Sequence, residues 1–474
     1  MKIHQLMIAG LLIAAGSYTL LSGEVNPEKE KQTDLKNTSK KDVLIEKPAD
    51  AKIRLQQSDP LLREIQTSKS ANKKDPAKCV FMTAFDGEGL NQPVHHPIPA
   101  KVMSSIDEGL SWLADAQHND GGWGAGSRNR QDIRDPHAVK SDPATTAMVA
   151  MSLARSGSTI KSGEYSGELK NALNYLIDAV ESSDENSLNI TTQTGTQPQS
   201  KLGQNIDVVL TSQFLSNIIH DLDHDPQLKR RVRRSIQKCV DKIEMGQTAN
   251  GSLQGSGWAG VLQSSFATSA LESAVSAGAE VDELILDKSR NYQKSNINTK
   301  NNSVVTESAA GIVLYSVSGS ARATAKETAE AKEKIREAKR AGKVESEEVT
   351  IDNLTKAGMA PSQAMKYATA YQINQQATKL AQDENVMSGF GNNGGEEFLS
   401  YLQTGEGMIM SNDQGWKNWY DKMSRRLISI QNNDGSWSGH HCITSPVFCT
   451  ATCLLILSVN NDVGKLTLPA RIQN

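Results

Sequence analysis

"QNNDGSW", Gln431 to Trp437, runs directly into "SGHHC", Ser438 to Cys442. The Asp-Gly pair marks a tight turn, because glycine adopts the left-handed backbone at little steric cost. The tryptophan is a large flat plug, and a glutamine amide can satisfy free groups at a helix end. Upstream, Met423, Leu427 and Ile430 recur at helical spacing, which makes one face apolar and the other wet. Downstream, "SPVFCTATCLLILSV" (Ser445–Val459) is apolar nearly all round and must be buried on every side. One unit therefore reads as an amphipathic outer helix, a turn and a buried inner helix.

The plan recurs along the chain. Gln117-x-x-Asp120-Gly121-Gly122-Trp123 follows a stripe of Ile106, Leu110 and Leu113 and precedes "DPATTAMVAMSLARSG" (Asp142–Gly157). Gln247-x-x-Asn250-Gly251-Ser252 follows Val232, Ile236 and Ile243 and precedes "SSFATSALESAVSAG" (Ser264–Gly278). Weaker copies fill the gaps: "GELKNALNYLIDAV" with "NIDVVLTSQFLSNII", "LILDKSRNYQKS" with "TESAAGIVLYSV", and "AMKYATAYQINQQATKLAQ" with "GEEFLSYLQTGEGMIM". About six helix pairs between Met103 and Val459 predict an all-α fold, an α/α toroid with inner and outer helix rings. No unit can bury its face alone, and closure removes the need for polar capping repeats.

The composition agrees. The chain has 474 residues, a formal net charge of −3, 37% apolar residues and only 5% aromatics. Near-neutral charge leaves no footprint for nucleic acid. Residues 1–22 hold Lys2 and then "LMIAGLLIAAGSYTLL" (Leu6–Leu21), the pattern of a signal peptide or signal anchor. Residues 23–78 are charged and poor in bulky apolar side chains, as expected of a disordered tether. A lead-in at 79–102, the toroid at 103–460 and a tail at 461–474 complete the division. Export to the periplasm or the exterior follows, with membrane contact only through the N-terminal segment. Residues 321–350, rich in Ala, Lys and Glu, interrupt the rhythm and read as a solvent-exposed helix or a flexible excursion.

Gln431-x-x-Asp434-Gly435-Ser436-Trp437 and Gln117-x-x-Asp120-Gly121-Gly122-Trp123 resemble the glutamine–tryptophan repeat of squalene–hopene and oxidosqualene cyclases. The wider family is that of the prenyltransferase and squalene-oxidase repeats, and the resemblance covers roughly Met103 to Val459. It implies the toroid and, for Trp123 and Trp437, a packing role. It says less about activity. The cyclases place their proton donor in a D-x-D-D-T-A motif. The nearest stretch here is Asp142-Pro143-Ala144-Thr145-Thr146-Ala147, with Ala144 where the central acid belongs. "DLDHD" (Asp221–Asp225) lacks the Thr-Ala and reads as a solvated turn, with Asp225 capping the next helix. The low aromatic content also disfavours a carbocation cascade. The zinc ligands of the protein prenyltransferases are not reproduced at Pro446-Val447-Phe448-Cys449.

The densest reactive chemistry lies in the last two units. Glu396 and Glu397 follow glycines at a helix start; His440, His441 and Cys442 sit in a turn before another helix. In a toroid both points face one mouth of the cavity. Two site chemistries fit these candidates: a zinc-like metal held by His440, His441, Cys442 and Glu397, or a Cys–His nucleophile pair oriented by a carboxylate. Helix capping by the acids and simple packing of Cys442, Cys449 and Cys453 compete with both. His95 and His96 read as loop residues. The expectation is a binding or scaffolding module that takes a small-molecule or protein ligand in the cavity or at its rim. An enzyme centred on the Glu/His/Cys group is the alternative.

Overall fold

A computed structural model of the protein describes residues 98–391, 393–459 and 461. The leader, the charged stretch, Cys79, His95 and His96 lie outside the described residues. Among the described residues, twelve long helices alternate between outer and inner positions. They are α1 (Ala100–Asp115), α2 (Pro143–Arg155), α3 (Ser166–Ser182), α4 (Ile206–Ile218), α5 (Pro226–Met245) and α6 (Gly260–Ser276), then α7 (Glu283–Ser295), α8 (Val313–Arg340), α9 (Pro361–Ala381), α10 (Gly395–Met410), α11 (Trp416–Ser429) and α12 (Pro446–Leu457). Among the described residues, β-structure is limited to one two-residue strand pair and isolated bridges. The all-α expectation holds.

Local sequence sets the helix starts. Asp142, Asp225 and Ser445 cap α2, α5 and α12 through their side chains, each followed by proline at the first helical position, where the missing N–H costs nothing. The cap expected at Asp225 is thus present. Every residue of α2, α4, α10 and α12 is buried. The outer helices bury one stripe only, as Val102, Ile106, Leu110 and Leu113 do in α1. The inner helices touch in a closed cycle: α2 packs on α4, α4 on α6, α6 on α8, α8 on α10, α10 on α12, and α12 back on α2.

The glutamine turns hold neighbouring units together. Gln117 Nε2 donates to Glu168 O at 2.9 Å, Gln247 Nε2 to Ile285 O at 2.7 Å, and Gln431 Nε2 to Ser105 O at 2.9 Å. Each reaches the outer helix of the next unit, and the last reaches the first. The Trp123 and Trp437 indoles donate to Leu113 O and Leu427 O, both at 2.8 Å, and neither ring is exposed. Their packing role stands. Gly435 has φ +89° and its Cα faces Glu108 O, where a Cβ would come within 2.8 Å. Any other residue there would be strained and would push α1 away.

A fourth turn of the same kind escapes sequence matching. Between α7 and α8, Ser303 N–H donates to Asn301 Oδ1, as Ser436 N–H does to Asp434 Oδ1. Asn302, with φ +56°, occupies the glycine position; asparagine is among the few non-glycine residues that tolerate it.

The stretch 321–350 corrects an expectation. It begins within α8, which continues the inner helix without a break to Arg340. Ala331, Ile335 and Ala338 are buried with Val344, Val349, Leu354, Ala364 and Ala368 in a second small core. The alanines that suggested a solvated helix instead permit close approach of α9, which is why the segment is neither exposed throughout nor an excursion.

Candidate functional site

The inner helices begin near a common set of polar residues. Glu396 and Glu397 sit in the first turn of α10 with side chains fully buried. Glu397 Oε1 accepts the Tyr315 hydroxyl at 2.5 Å and Phe390 N–H at 2.9 Å. Glu396 Oε2 accepts Ile443 N–H at 3.2 Å. Among the described residues, none donates an N–H or O–H to Glu396 Oε1 or Glu397 Oε2, and none hydrogen-bonds to either ring nitrogen of His441. His441 Nε2 lies 3.8 Å from Glu397 Oε2. The glycines before α10 allow this crowding: a Cβ on Gly394 would come within 2.7 Å of Glu397 Oε2 and 2.8 Å of the His441 ring.

Burial, and then the neighbouring Glu397, push the Glu396 carboxyl up to about 8, so it holds its proton at neutral pH. Burial, and then Glu396, push the Cys442 thiol up to about 12. Tyr315 is raised by burial and by Glu397. Cys442 has φ +59°, a strained conformation for a non-glycine residue. The surroundings fix it: Gln131 Nε2 donates to Cys442 O at 2.6 Å, Arg134 Nη1 to Thr444 O at 2.7 Å, and Gln197 Oε1 accepts Thr444 N–H at 2.7 Å.

An aromatic rim adjoins the acids. Trp258 meets Tyr315 at 6.4 Å and 70°, and Phe390 at 5.2 Å and 76°; Phe390 meets His441 at 5.3 Å and 82°. Trp258 is 37% and Phe390 54% exposed. The Lys201 ammonium stands 5.5 Å from the Trp258 ring centre.

The sequence candidates therefore separate. Glu396, Glu397, His441 and Cys442 come together. His440 is exposed and engages Asn393 O through its backbone. Two expected chemistries need correction. Among the described residues no group of three or more His, Cys, Asp and Glu side chains is placed to hold a metal ion; His440 faces away into solvent exposure and the set His440, His441, Cys442 and Glu397 is incomplete. The Cys–His nucleophile pair also fails, because His441 faces Glu397 and the thiol beside Glu396 is held protonated, the unreactive form.

Sequence reasoning missed Tyr315, Phe390, Lys201 and Trp258. The signal for Trp258 was present: in the second unit Leu253 fills the plug position, its N–H donating to Ser264 Oγ as Trp437 N–H does to Thr450 Oγ1. The tryptophan five residues later is thus released to the rim. A second buried acid pair also went unnoticed. Asp207 accepts Ala144 N–H, Asn189 Nδ2 and Gln199 Nε2, and burial followed by Asp207 raises Asp142 to about 7.

Further along the inner helices lies a charged cluster. Arg155 donates to Glu406 at 2.6 Å and to Leu455 O at 3.0 Å; Arg322 reaches Glu406 at 3.3 Å and Glu272 at 3.4 Å; Arg290 reaches Glu272 at 2.8 Å. It joins α2, α6, α7, α8, α10 and α12.

No family model and no curated protein matches the chain. Solved structures similar to it include the type II terpene cyclase MstE from Scytonema in its apo form, at 11% identity and a TM-score of 0.38, covering 77% of this chain and 98% of that one. A variant of MstE in complex with merosterolic acid A (product) gives 13% identity and a TM-score of 0.39, with 76% and 97% covered.

Proposed function

We propose that the chain is a terpene cyclase-like α/α toroid that binds a small molecule at the mouth where the inner helices begin. The observation that carries this reading is the pair of fully buried acids, Glu396 and Glu397, with two oxygens that accept no N–H or O–H from the described residues, beside exposed Trp258 and Phe390. Buried polar atoms without partners are costly, and exposed aromatic clusters beside them suit a ligand that brings both apolar surface and polar contacts. Polyene cyclisation is disfavoured. Ala144 occupies the acid position, and the inner helices carry four clustered charges, Arg155, Glu272, Arg322 and Glu406, joined by Arg290 of α7, where a polyene would need apolar walls. The leader and charged stretch would export and tether the module outside the cytoplasmic membrane.

A panel of cationic, neutral and anionic small molecules, scored by thermal shift, tests the reading. Compounds that stabilise the protein are expected to lose their effect in both Trp258→Ala and Glu397→Gln. A panel with no stabilising compound, or only compounds indifferent to both substitutions, overturns it. One observation favours an enzymatic second reading: Glu396 is a neutral acid near physiological pH, as general acids require. Glu396→Gln would then abolish turnover of a bound compound and leave its binding intact; retained turnover rejects this reading.

A further inference from the structure

The stretch 126–140, between the first glutamine turn and α2, and the stretch 193–196, ahead of α4, line an open cavity of about 230 Å³. Two backbone bonds fasten its walls together: Arg128 N–H donates to Gly195 O at 3.0 Å and Gln197 N–H to Gly126 O at 2.9 Å. Side chains hold each wall in place. Gln131 and Arg134 anchor the first on Cys442 O and Thr444 O, and Gln199 Nε2 donates to Gln193 O at 2.9 Å in the second. The space is therefore formed before any ligand arrives, which spares the cost of ordering its walls. Glu396, Glu397, Trp258 and Phe390 do not line it, so it stands apart from the mouth and from the function proposed above.

Among the described residues that line this cavity there is no carboxylate. Ile133, Ala138 and Val139 supply an apolar side, and Arg130 and Lys140 supply positive charge. Asp132 takes up Nε and Nη2 of Arg130 at 3.0 Å each. That pair is close to neutral, and Nη1 takes no part in it. The Lys140 ammonium is then the net charge of the site. The hydroxyls of Ser127 and Thr196 each accept a backbone N–H, from Asn129 and Gln199, which leaves their own protons to give to a ligand. A cation would meet like charge here. A neutral apolar molecule leaves Lys140 unused, and inorganic phosphate leaves the apolar side uncovered. A single carboxylate on an apolar body uses both. Size agrees: the cavity lies between the roughly 150 Å³ that takes benzene and the roughly 300 Å³ at which sites for drug-sized ligands begin.

We infer that this cavity binds a small monocarboxylate, with its carboxylate on Lys140 and its apolar body against Ile133 and Val139.

Benzoate is the probe, titrated into the full chain by calorimetry at constant ionic strength, with benzamide and inorganic phosphate as controls. Saturable binding of benzoate is expected, with benzamide and phosphate each weaker by about tenfold or more. Lys140→Met should weaken benzoate by about fivefold or more, and Lys140→Arg should keep most of the affinity. Ile133→Ser should weaken it by about threefold or more, through lost apolar contact. Trp258→Ala should leave it unchanged, which separates this cavity from the mouth. Lys140 is exposed, so its variants test the site without disturbing the core. Absence of saturable benzoate binding, equal binding of benzamide or of phosphate, or affinity indifferent to Lys140→Met would each overturn the assignment. Loss of benzoate binding in Trp258→Ala would put the carboxylate at the mouth instead, and would overturn it too.

Discussion

Glu396 stores a pH dependence in the fold. Its carboxyl rises from an ordinary 4.5 to about 8 on folding, through burial and then Glu397. A carboxyl raised in this way favours the native state fully below its unfolded value, and the advantage is lost as pH rises through the folded value. Asp142, raised from 3.8 to about 7, acts in the same sense. The urea midpoint should therefore fall between pH 5 and pH 9. Glu396→Gln, which imitates the protonated acid, should flatten the upper part of that fall, by on the order of 3 kcal/mol. An unchanged slope in the variant would mean that Glu396 ionises freely. At this scale the sequence was half legible. Glycines followed by paired acids, and histidines followed by a cysteine, drew attention to Glu397 and His441, which lie side by side in the fold. Tyr315 gave no sign, because it lies in an apolar inner helix where an aromatic side chain reads as core. The metal and nucleophile expectations fail for separate reasons of direction: His440 turns out to solvent, and His441 faces Glu397 while Cys442 lies beside Glu396.

The turns and helices were the most legible elements, since helical periodicity and Asp-Gly turns are local properties. The outer helix expected at "AMKYATAYQINQQATKLAQ" forms as α9. The misread element is α8. Charged and alanine-rich sequence fits a solvated helix, yet small side chains on one face equally fit a tight hairpin, and composition does not distinguish them. Its far half should behave as a separable unit with α9. Ala331 is fully buried in the second small core, so Ala331→Glu would place a charge there at a cost of about 3 kcal/mol. Hydrogen exchange should show faster opening between residues 331 and 368 and unchanged protection in α2 and α12. Faster exchange throughout would mean that the hairpin and the ring of inner helices unfold together.

At the scale of the whole molecule, repetition in the sequence implied that every unit needs its neighbours. What it could not reveal was the charged cluster, because Arg155, Glu272, Arg322 and Glu406 come from four helices far apart in the chain. Glu406 takes part with Arg155 and with Arg322. Glu406→Gln would leave two buried guanidinium groups short of compensating charge, and should destabilise the protein by about 3–5 kcal/mol, read as a lower urea midpoint at pH 7. A change under 1 kcal/mol would show that the guanidinium groups find water or other partners. The bond from Gln431 to Ser105 bears on how the protein is made. Those residues are 326 apart, so at ribosomal speeds of roughly 5–20 residues per second α1 waits about a quarter of a minute to a minute for its partner. During synthesis its greasy stripe of Val102, Ile106, Leu110 and Leu113 has no finished seat, and the nascent chain must be shielded from its neighbours until the seam is sewn.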